Sequence, residues 1–193
     1  MRIFFDTEFT GLHKNTTLIS IGLVAENGDR FYGEVTDYDE SQCSPWITEH
    51  VLNNTILGGN ENLANELGKN DKTLVVLGNS KDVSNELKEW LTQYSDGPIR
   101  FVSDVCHYDM VLLIDLVWGN ALNMPANINP YCRDIAGDIV RVMGIEERKA
   151  FDLSREQFLS DRKIALPNGQ KHNSLYDAEV IKAIFDYLNA PFT

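Results

Sequence analysis

The chain has 193 residues, of which 43% are hydrophobic and 24% charged, and its formal net charge is −12. This composition predicts one globular domain over residues 1–193 and argues against a disordered chain. The acidic charge argues against a protein that coats duplex nucleic acid, because such proteins are basic. In residues 131–171, however, 8 Lys and Arg balance 7 Asp and Glu, so this segment could face a phosphate backbone.

The cysteines indicate a reducing compartment. Cys43, Cys106 and Cys132 are odd in number and form no Cys-x-x-Cys pair, which is typical of free thiols. The apolar run at the N-terminus ends at Asp6, which is too early for a signal peptide, and no apolar stretch reaches membrane-spanning length. We expect a cytoplasmic protein without membrane association.

The stretch Ile3–Leu12 has the two-residue period of a strand, with Asp6 and Glu8 on one face. Their Cα atoms would lie roughly 6.5 Å apart. At an effective dielectric near 20 their charges would repel by roughly 2–3 kcal/mol. A divalent metal with hard oxygen ligands would relieve this repulsion. The alternative is an edge strand whose acids face solvent.

The following segments predict an antiparallel meander. Thr17–Glu26 alternates, Asn27-Gly28 is a tight-turn signal, and Arg30–Val35 forms the next strand. A short helix is predicted over Pro45–Leu52, with Pro45 in its first turn. The polar stretch 53–72 is expected to be a loop with at most one helical piece.

The second half of the chain is mainly helical. Ile99–Ser103 reads as a short strand, and Arg148–Lys171 is expected to be irregular. Apolar spacing predicts helices over Asn79–Tyr94, His107–Val117, Ile135–Met143 and Ser174–Leu188. Together these elements predict an α/β fold, a mixed sheet flanked by helices.

Two acids fall on helix faces that are otherwise apolar. Asp177 shares a face with Ile181 and Ile184, although Ser174-x-x-Asp177 also fits a capping box. Asp109 likewise shares a face with apolar residues, and a buried carboxylate there needs a partner or a metal. Competing acids near that helix are Asp104, a possible cap, and Asp115, on the other side.

His172 lies five residues before Asp177, where its side chain could reach over a site fixed by the helix. The alternative is a histidine in a surface loop. His107 is a weaker candidate, and His13 and His50 belong to no pattern.

The order and spacing of these residues resemble the DEDDh superfamily of 3'-5' exonucleases. The motifs that carry the resemblance are Asp6-x-Glu8, Tyr108-Asp109 and His172-x4-Asp177-Ala178. The context Asp6–Leu12 with Pro45-Trp46 resembles most the branch of the mycobacterial adenylate-preferring exoribonuclease and its prophage relatives. One position departs from the pattern: the second motif often has an Asn where this chain has Val105.

The resemblance implies an RNase H-like fold, with three antiparallel strands followed by parallel strands. It also implies hydrolysis of single-stranded RNA from the 3' end to 5'-nucleoside monophosphates, with two Mg²⁺ or Mn²⁺ ions. His172 would be the general base. The metal ligands would be Asp6, Glu8, Asp109 and Asp177.

Substrate contacts are expected from the segment that follows the first strand. Thr10, Gly11 and Leu12 could seat the terminal nucleotide, since glycine permits close backbone approach. Trp46 could stack on a base. The alternatives are a plain turn residue for Leu12 and a core residue for Trp46.

Two other functions remain open at this stage. A DNA-directed exonuclease could use the same site, because discrimination depends on the fit around a 2'-OH, and RNA is favoured by the branch resemblance alone. A non-catalytic nucleic-acid-binding module could share the fold, but four converging acids would repel phosphate without serving binding. Homodimer formation is left open.

Overall fold

The computed structural model describes residues 1–69 and 71–190. In this part of the chain a six-stranded mixed sheet has helices on both faces. The strands are β1 (Arg2–Phe9), β2 (Leu18–Ala25), β3 (Arg30–Val35), β4 (Thr73–Gly78), β5 (Arg100–Ser103) and β6 (Arg133–Asp134). The main helices are α1 (Pro45–His50), α2 (Glu61–Leu67), α3 (Ser80–Thr92), α4 (His107–Trp118), α5 (Ile135–Met143), α6 (Glu147–Asp152), α7 (Arg155–Asp161) and α8 (Ser174–Asn189).

The strand order is β4-β3-β2-β1-β5-β6. β1, β2 and β3 form an antiparallel meander, and β5 lies parallel to β1. Gly28, in the turn between β2 and β3, has a φ of 91°, a backbone conformation that glycine adopts without strain. The predicted α/β class is therefore confirmed, with three antiparallel strands followed by parallel strands.

The strand β4 was not predicted. It pairs parallel to β3 at the edge of the sheet, where Leu74 and Leu77 stay exposed. Its short apolar run lacks the alternation that marks a strand with one buried face, so local pattern gives no clear signal. Asn70, which belongs to the expected loop 53–72, lies outside the described residues.

The expectation of irregular structure over Arg148–Lys171 was wrong in part, because the region contains most of α6 and all of α7. Each helix is under two turns long, too short to show a helical period in sequence. Ser154 caps α7 by accepting the backbone N–H of Gln157, and Phe158 packs into the core.

Two hydrophobic cores lie on opposite faces of the sheet, as the alternation of β1 requires. Phe5 packs on the face covered by α3 and α4, while Phe4 packs on the face covered by α8. Over the residues described, no helix has the length and apolar character needed to cross a membrane.

The first turn of α8 lies directly on β2. Gly22 pairs with Asp6 in the sheet, and a Cβ atom at Gly22 would lie 2.3 Å from the backbone of Leu175. The hydroxyl oxygens of Ser20 and Ser174 are 3.0 Å apart and share a hydrogen bond. The missing side chain at position 22 thus allows α8 to approach β2 closely.

We expect Gly22→Ala to lower the free energy of unfolding by about 1–3 kcal/mol, the usual cost of overpacking a core. Gly137→Ala is the matched control. Gly137 lies in α5 with no atom within 4 Å of an added Cβ, so alanine there should stabilise the helix by about 0.5–1 kcal/mol. Urea unfolding of both variants measures the difference. Equal stabilities would contradict the close packing of α8 on β2.

Candidate active site

β1 brings two carboxylates to the α8 side of the sheet. Asp6 and Glu8 point to the same face, as their spacing predicts. Burial raises the pKa of Asp6 well above its ordinary value, and the charges of Asp109, Asp177 and Glu8 raise it further. Burial, Asp177 and Asp109 raise the pKa of Glu8 in the same way, and Lys171 opposes them. The carboxylates therefore lie close enough to repel one another.

Asp109 reaches the same site from α4. Its Oδ1 atom accepts two hydrogen bonds from Thr7, one from the backbone N–H at 3.0 Å and one from the hydroxyl at 2.6 Å. Burial raises the pKa of Asp109 to about 6, and the bonds from Thr7 act in the opposite direction. Because both bonds go to one oxygen, the other oxygen remains available for a ligand.

The competing acids near α4 have other surroundings. Asp104 does not cap α4; it forms a bidentate ion pair with Arg155, with N–O distances of 2.6 and 2.8 Å. Asp115 is exposed on α4. Val105, where the family pattern often has Asn, has a φ of 50°, which is unusual for a β-branched residue.

Asp177 lies in the first turn of α8, although the capping box expected with Ser174 does not form. The N-cap is Asn173, whose side chain accepts the backbone N–H of Tyr176. Asp177 instead accepts the backbone N–H of His172 at 2.9 Å. Burial raises the pKa of Asp177 to about 7, while the bond from His172 lowers it.

His172 stands over the carboxylates. Its φ of 64° places it in the left-handed region, and the bond to Asp177 holds this backbone in place. Possible ligand atoms of Glu8, His172 and Asp177 lie within 4.8 Å of one another. Burial lowers the pKa of His172 from its ordinary value, and the charges of Lys171 and His50 add to this effect.

The expected substrate residues differ in their surroundings. The buried Thr10 hydroxyl donates to Gln42 at 2.6 Å and accepts the backbone N–H of Thr17, so its hydrogen bonds are made within the protein. Leu12 is 79% exposed beside the cleft, and its neighbour Gly11 continues the same loop. Trp46 is half exposed and is not a core residue.

Some residues at the site were not predicted as site residues from the sequence. The ring of His50 stacks on Trp46 at 4.8 Å, and the Trp46 ring meets His172 edge-on at 5.0 Å. Phe151, Arg155 and Lys171 line the cleft of about 530 Å³ that holds the carboxylates. The spacing of His50 from Trp46, one helical turn, could have indicated their stacking.

The donor set fits divalent cations. Asp6, Glu8, Asp109 and Asp177 offer hard carboxylate oxygens, which Mg²⁺ and Mn²⁺ prefer. Burial, with neighbouring negative charges, raises the pKa values of all four carboxyl groups. Cations bound there would relieve the repulsion and keep the carboxylates ionised.

The fold and this site define a 3'-5' exonuclease of the DEDDh type. The chain belongs to the Rv2179c-like 3'-5' exoribonuclease domain family, whose pattern matches residues 1–188. Membership in this exonuclease family implies dependence on a divalent metal. The resemblance seen in the sequence is therefore confirmed.

Individual relatives agree with this assignment. The 3'-5' exoribonucleases Rv2179c and MT2234.1 of two Mycobacterium tuberculosis strains are each 29% identical over 135 residues, covering 70% of this chain and 71% of theirs. A solved 3'-exonuclease that recognises the 3' end of a histone mRNA stem-loop has a TM-score of 0.63 at 12% identity, covering 98% of this chain and 82% of that chain. A full-length 3'-exonuclease has a TM-score of 0.63 at 13% identity, covering 97% and 80%. These structures show that the fold is shared.

The raised pKa values predict how the metal-free protein responds to pH. The folded protein holds protons on Asp109 and Asp177 up to about pH 6 and about pH 7, whereas the unfolded chain loses them near pH 4. Stability should therefore fall as the pH rises from about 4 to about 7. Thermal unfolding with a chelator measures this fall, and added Mg²⁺ or Mn²⁺ should reverse it.

Asp177→Asn is the matched variant for this experiment. Its amide oxygen can still accept the N–H of His172, but it carries no charge. The loss of stability with pH should be smaller in the variant than in the wild type. An equally steep loss would show that the buried carboxylate of Asp177 is not its source.

Proposed function

We propose that this chain is a single exonuclease domain that removes 5'-nucleoside monophosphates from the 3' end of single-stranded RNA. The observation that carries the proposal is the meeting of carboxylates from β1, α4 and α8 in one cleft, where the imidazole of His172 lies beside Glu8 and Asp177. The preference for RNA rests on family membership and on the names of the relatives.

We propose that two ions, Mg²⁺ or Mn²⁺, bind at this site. Asp6 would be one of their ligands, since it lies close enough for the charges of Asp109 and Asp177 to act on it. Glu8, Asp109 and Asp177 would be the others, with Glu8 and Asp177 beside His172. Such ions, when bound, make water a stronger nucleophile and stabilise charge on the leaving 3'-oxygen.

His172 is assigned the role of general base. Its lowered pKa keeps the imidazole neutral near pH 7, so that it can accept a proton from the attacking water. The bond from its backbone N–H to Asp177 and the edge-on contact with Trp46 hold the ring at the cleft. Contacts to its backbone and to its ring thus hold His172 in a strained conformation. This favours a catalytic group held in position over a histidine in a surface loop.

The 3'-terminal nucleotide is placed beside the loop that follows β1. Leu12 offers an exposed apolar surface for a base, and Gly11 permits close approach of the sugar. Thr10 supports this loop through its bonds to Gln42 and Thr17. Trp46 offers a half-exposed ring for stacking. We place the protein in the cytoplasm, where its three free cysteines would stay reduced.

Digestion of a 5'-labelled single-stranded RNA tests the reaction. The label should move through products shortened one nucleotide at a time, and a 3'-phosphate should slow the reaction. EDTA should abolish it, and Mn²⁺ or Mg²⁺ should restore it. A DNA strand of the same sequence should react more slowly.

Each part of the proposal has an outcome that contradicts it. Cleavage of a circular RNA would show an endonuclease. Equal rates on DNA would contradict the RNA preference. Binding without cleavage under every metal condition would indicate a nucleic-acid-binding module.

His172→Ala should lower kcat by about 10²–10⁴-fold, the usual contribution of a general base. In the wild type, kcat should fall at acid pH as His172 gains a proton, with a midpoint below 6.5 because its pKa is lowered. The variant should lack this acid limb. The rate measured against pH for both proteins tests the role.

Calorimetry with Mn²⁺ separates this role from that of a metal ligand. His172→Ala should bind the metal nearly as well as the wild type, whereas Asp177→Asn should bind it more weakly. An equal loss of metal affinity in both variants would show that His172 is a ligand and not the general base.

A further inference from the structure

The cleft is strongly acidic for a surface that receives a phosphate backbone. Besides the four carboxylates, Glu156 and Asp104 also line it. Divalent ions would neutralise the carboxylates and hold the scissile phosphate, but the next phosphates of the strand also need positive charge near them. This need points to a basic side chain in the cleft wall.

Lysine and arginine occur at two positions of the described cleft lining, 155 and 171. Arg155 is fully engaged: it forms the ion pair with Asp104 and donates to the carbonyls of Ala150 and Leu153. The side chain of Lys171 is exposed and makes no ion pair or hydrogen bond with the described residues. Lys171 is therefore the basic residue of the cleft that is free to bind a ligand.

The backbone of Lys171 is fixed although its side chain is free. Its carbonyl accepts a hydrogen bond of 2.9 Å from the buried side chain of Asn54. The next residue, His172, is tied to Asp177. The side chain of Lys171 thus extends from a fixed backbone position beside the site. The charge of its ammonium group is close enough to act on Glu8 and Asp177.

We propose that Lys171 binds a backbone phosphate of the RNA strand in the cleft. The inference rests on the proposed function. A lysine ammonium suits this role, because as a compact point charge it can follow a phosphate without demanding one orientation. The alternative is that Lys171 is only a counter-ion of the carboxylates, and the experiment below separates the two roles.

The test is the salt dependence of binding. The protein is titrated into a fluorescent single-stranded RNA in a buffer that contains Ca²⁺, at several NaCl concentrations. The fluorescence anisotropy of the RNA gives the Kd at each concentration. Lys171→Ala should weaken binding about fivefold at low salt, the scale of one exposed ion pair. It should also reduce the slope of log Kd against log salt by about 0.7, the contribution of one phosphate contact to a single strand.

Two variants complete the experiment. Lys171→Arg should restore both affinity and slope, because it keeps the charge. Lys88→Ala is the matched control: it removes one exposed lysine on α3, outside the cleft, and should leave the slope unchanged. An unchanged slope in Lys171→Ala, or an equal change in Lys88→Ala, would overturn the inference.

A second measurement identifies the phosphate. RNAs carrying one neutral methylphosphonate linkage, placed at successive positions from the 3' end, are bound to the wild type and to Lys171→Ala. At the linkage that Lys171 contacts, the penalty of the alanine variant should disappear. A penalty that persists at every position would show that Lys171 contacts no single backbone phosphate and would also overturn the inference.

These results are independent of the proposed activity. If the wild type binds RNA but never cleaves it, the proposed function fails. The salt dependence of binding still tests whether Lys171 contacts a phosphate. If the wild type cleaves RNA and the Lys171 variant keeps the wild-type salt slope, the inference alone fails.

Discussion

The burial of four carboxylates in one cleft, close to other negative charges, is the constraint on which this structure depends. Burial and neighbouring negative charge raise the pKa values of Asp6, Glu8, Asp109 and Asp177 together. Holding these groups in one cleft costs folding free energy unless protons or cations are bound. The fold must therefore be stable enough elsewhere to carry this cost. The two hydrophobic cores on opposite faces of the sheet supply that stability.

A few polar contacts orient the carboxylates. Thr7 gives both its backbone N–H and its hydroxyl to Asp109, although Thr7 and Asp109 are 102 residues apart. The backbone N–H of His172 fixes Asp177 in the same manner. These bonds favour the charged form of each acid, so they position the carboxylates and also reduce the cost of their ionisation.

Charge is distributed unevenly along the chain. The protein as a whole carries a net charge of −12, but the segment 131–171 is close to neutral. Six residues of the cleft lining come from this segment: Phe151, Leu153, Ser154, Arg155, Glu156 and Lys171. An acidic protein can thus present one basic side chain at its site without the extended positive surface that non-specific binding needs.

The sequence by itself determined which side chains share a face. A strand period places Asp6 beside Glu8, and a helical period places Asp109 and Asp177 among apolar residues, because these relations depend on local geometry alone. The short helices α6 and α7 and the edge strand β4 left no such signal, since few residues repeat in them. Tertiary structure alone decided which distant segments meet. The close approach of α8 at Gly22, the contact of Thr7 with Asp109 and the place of Lys171 in the cleft wall arise from packing, which no local pattern encodes.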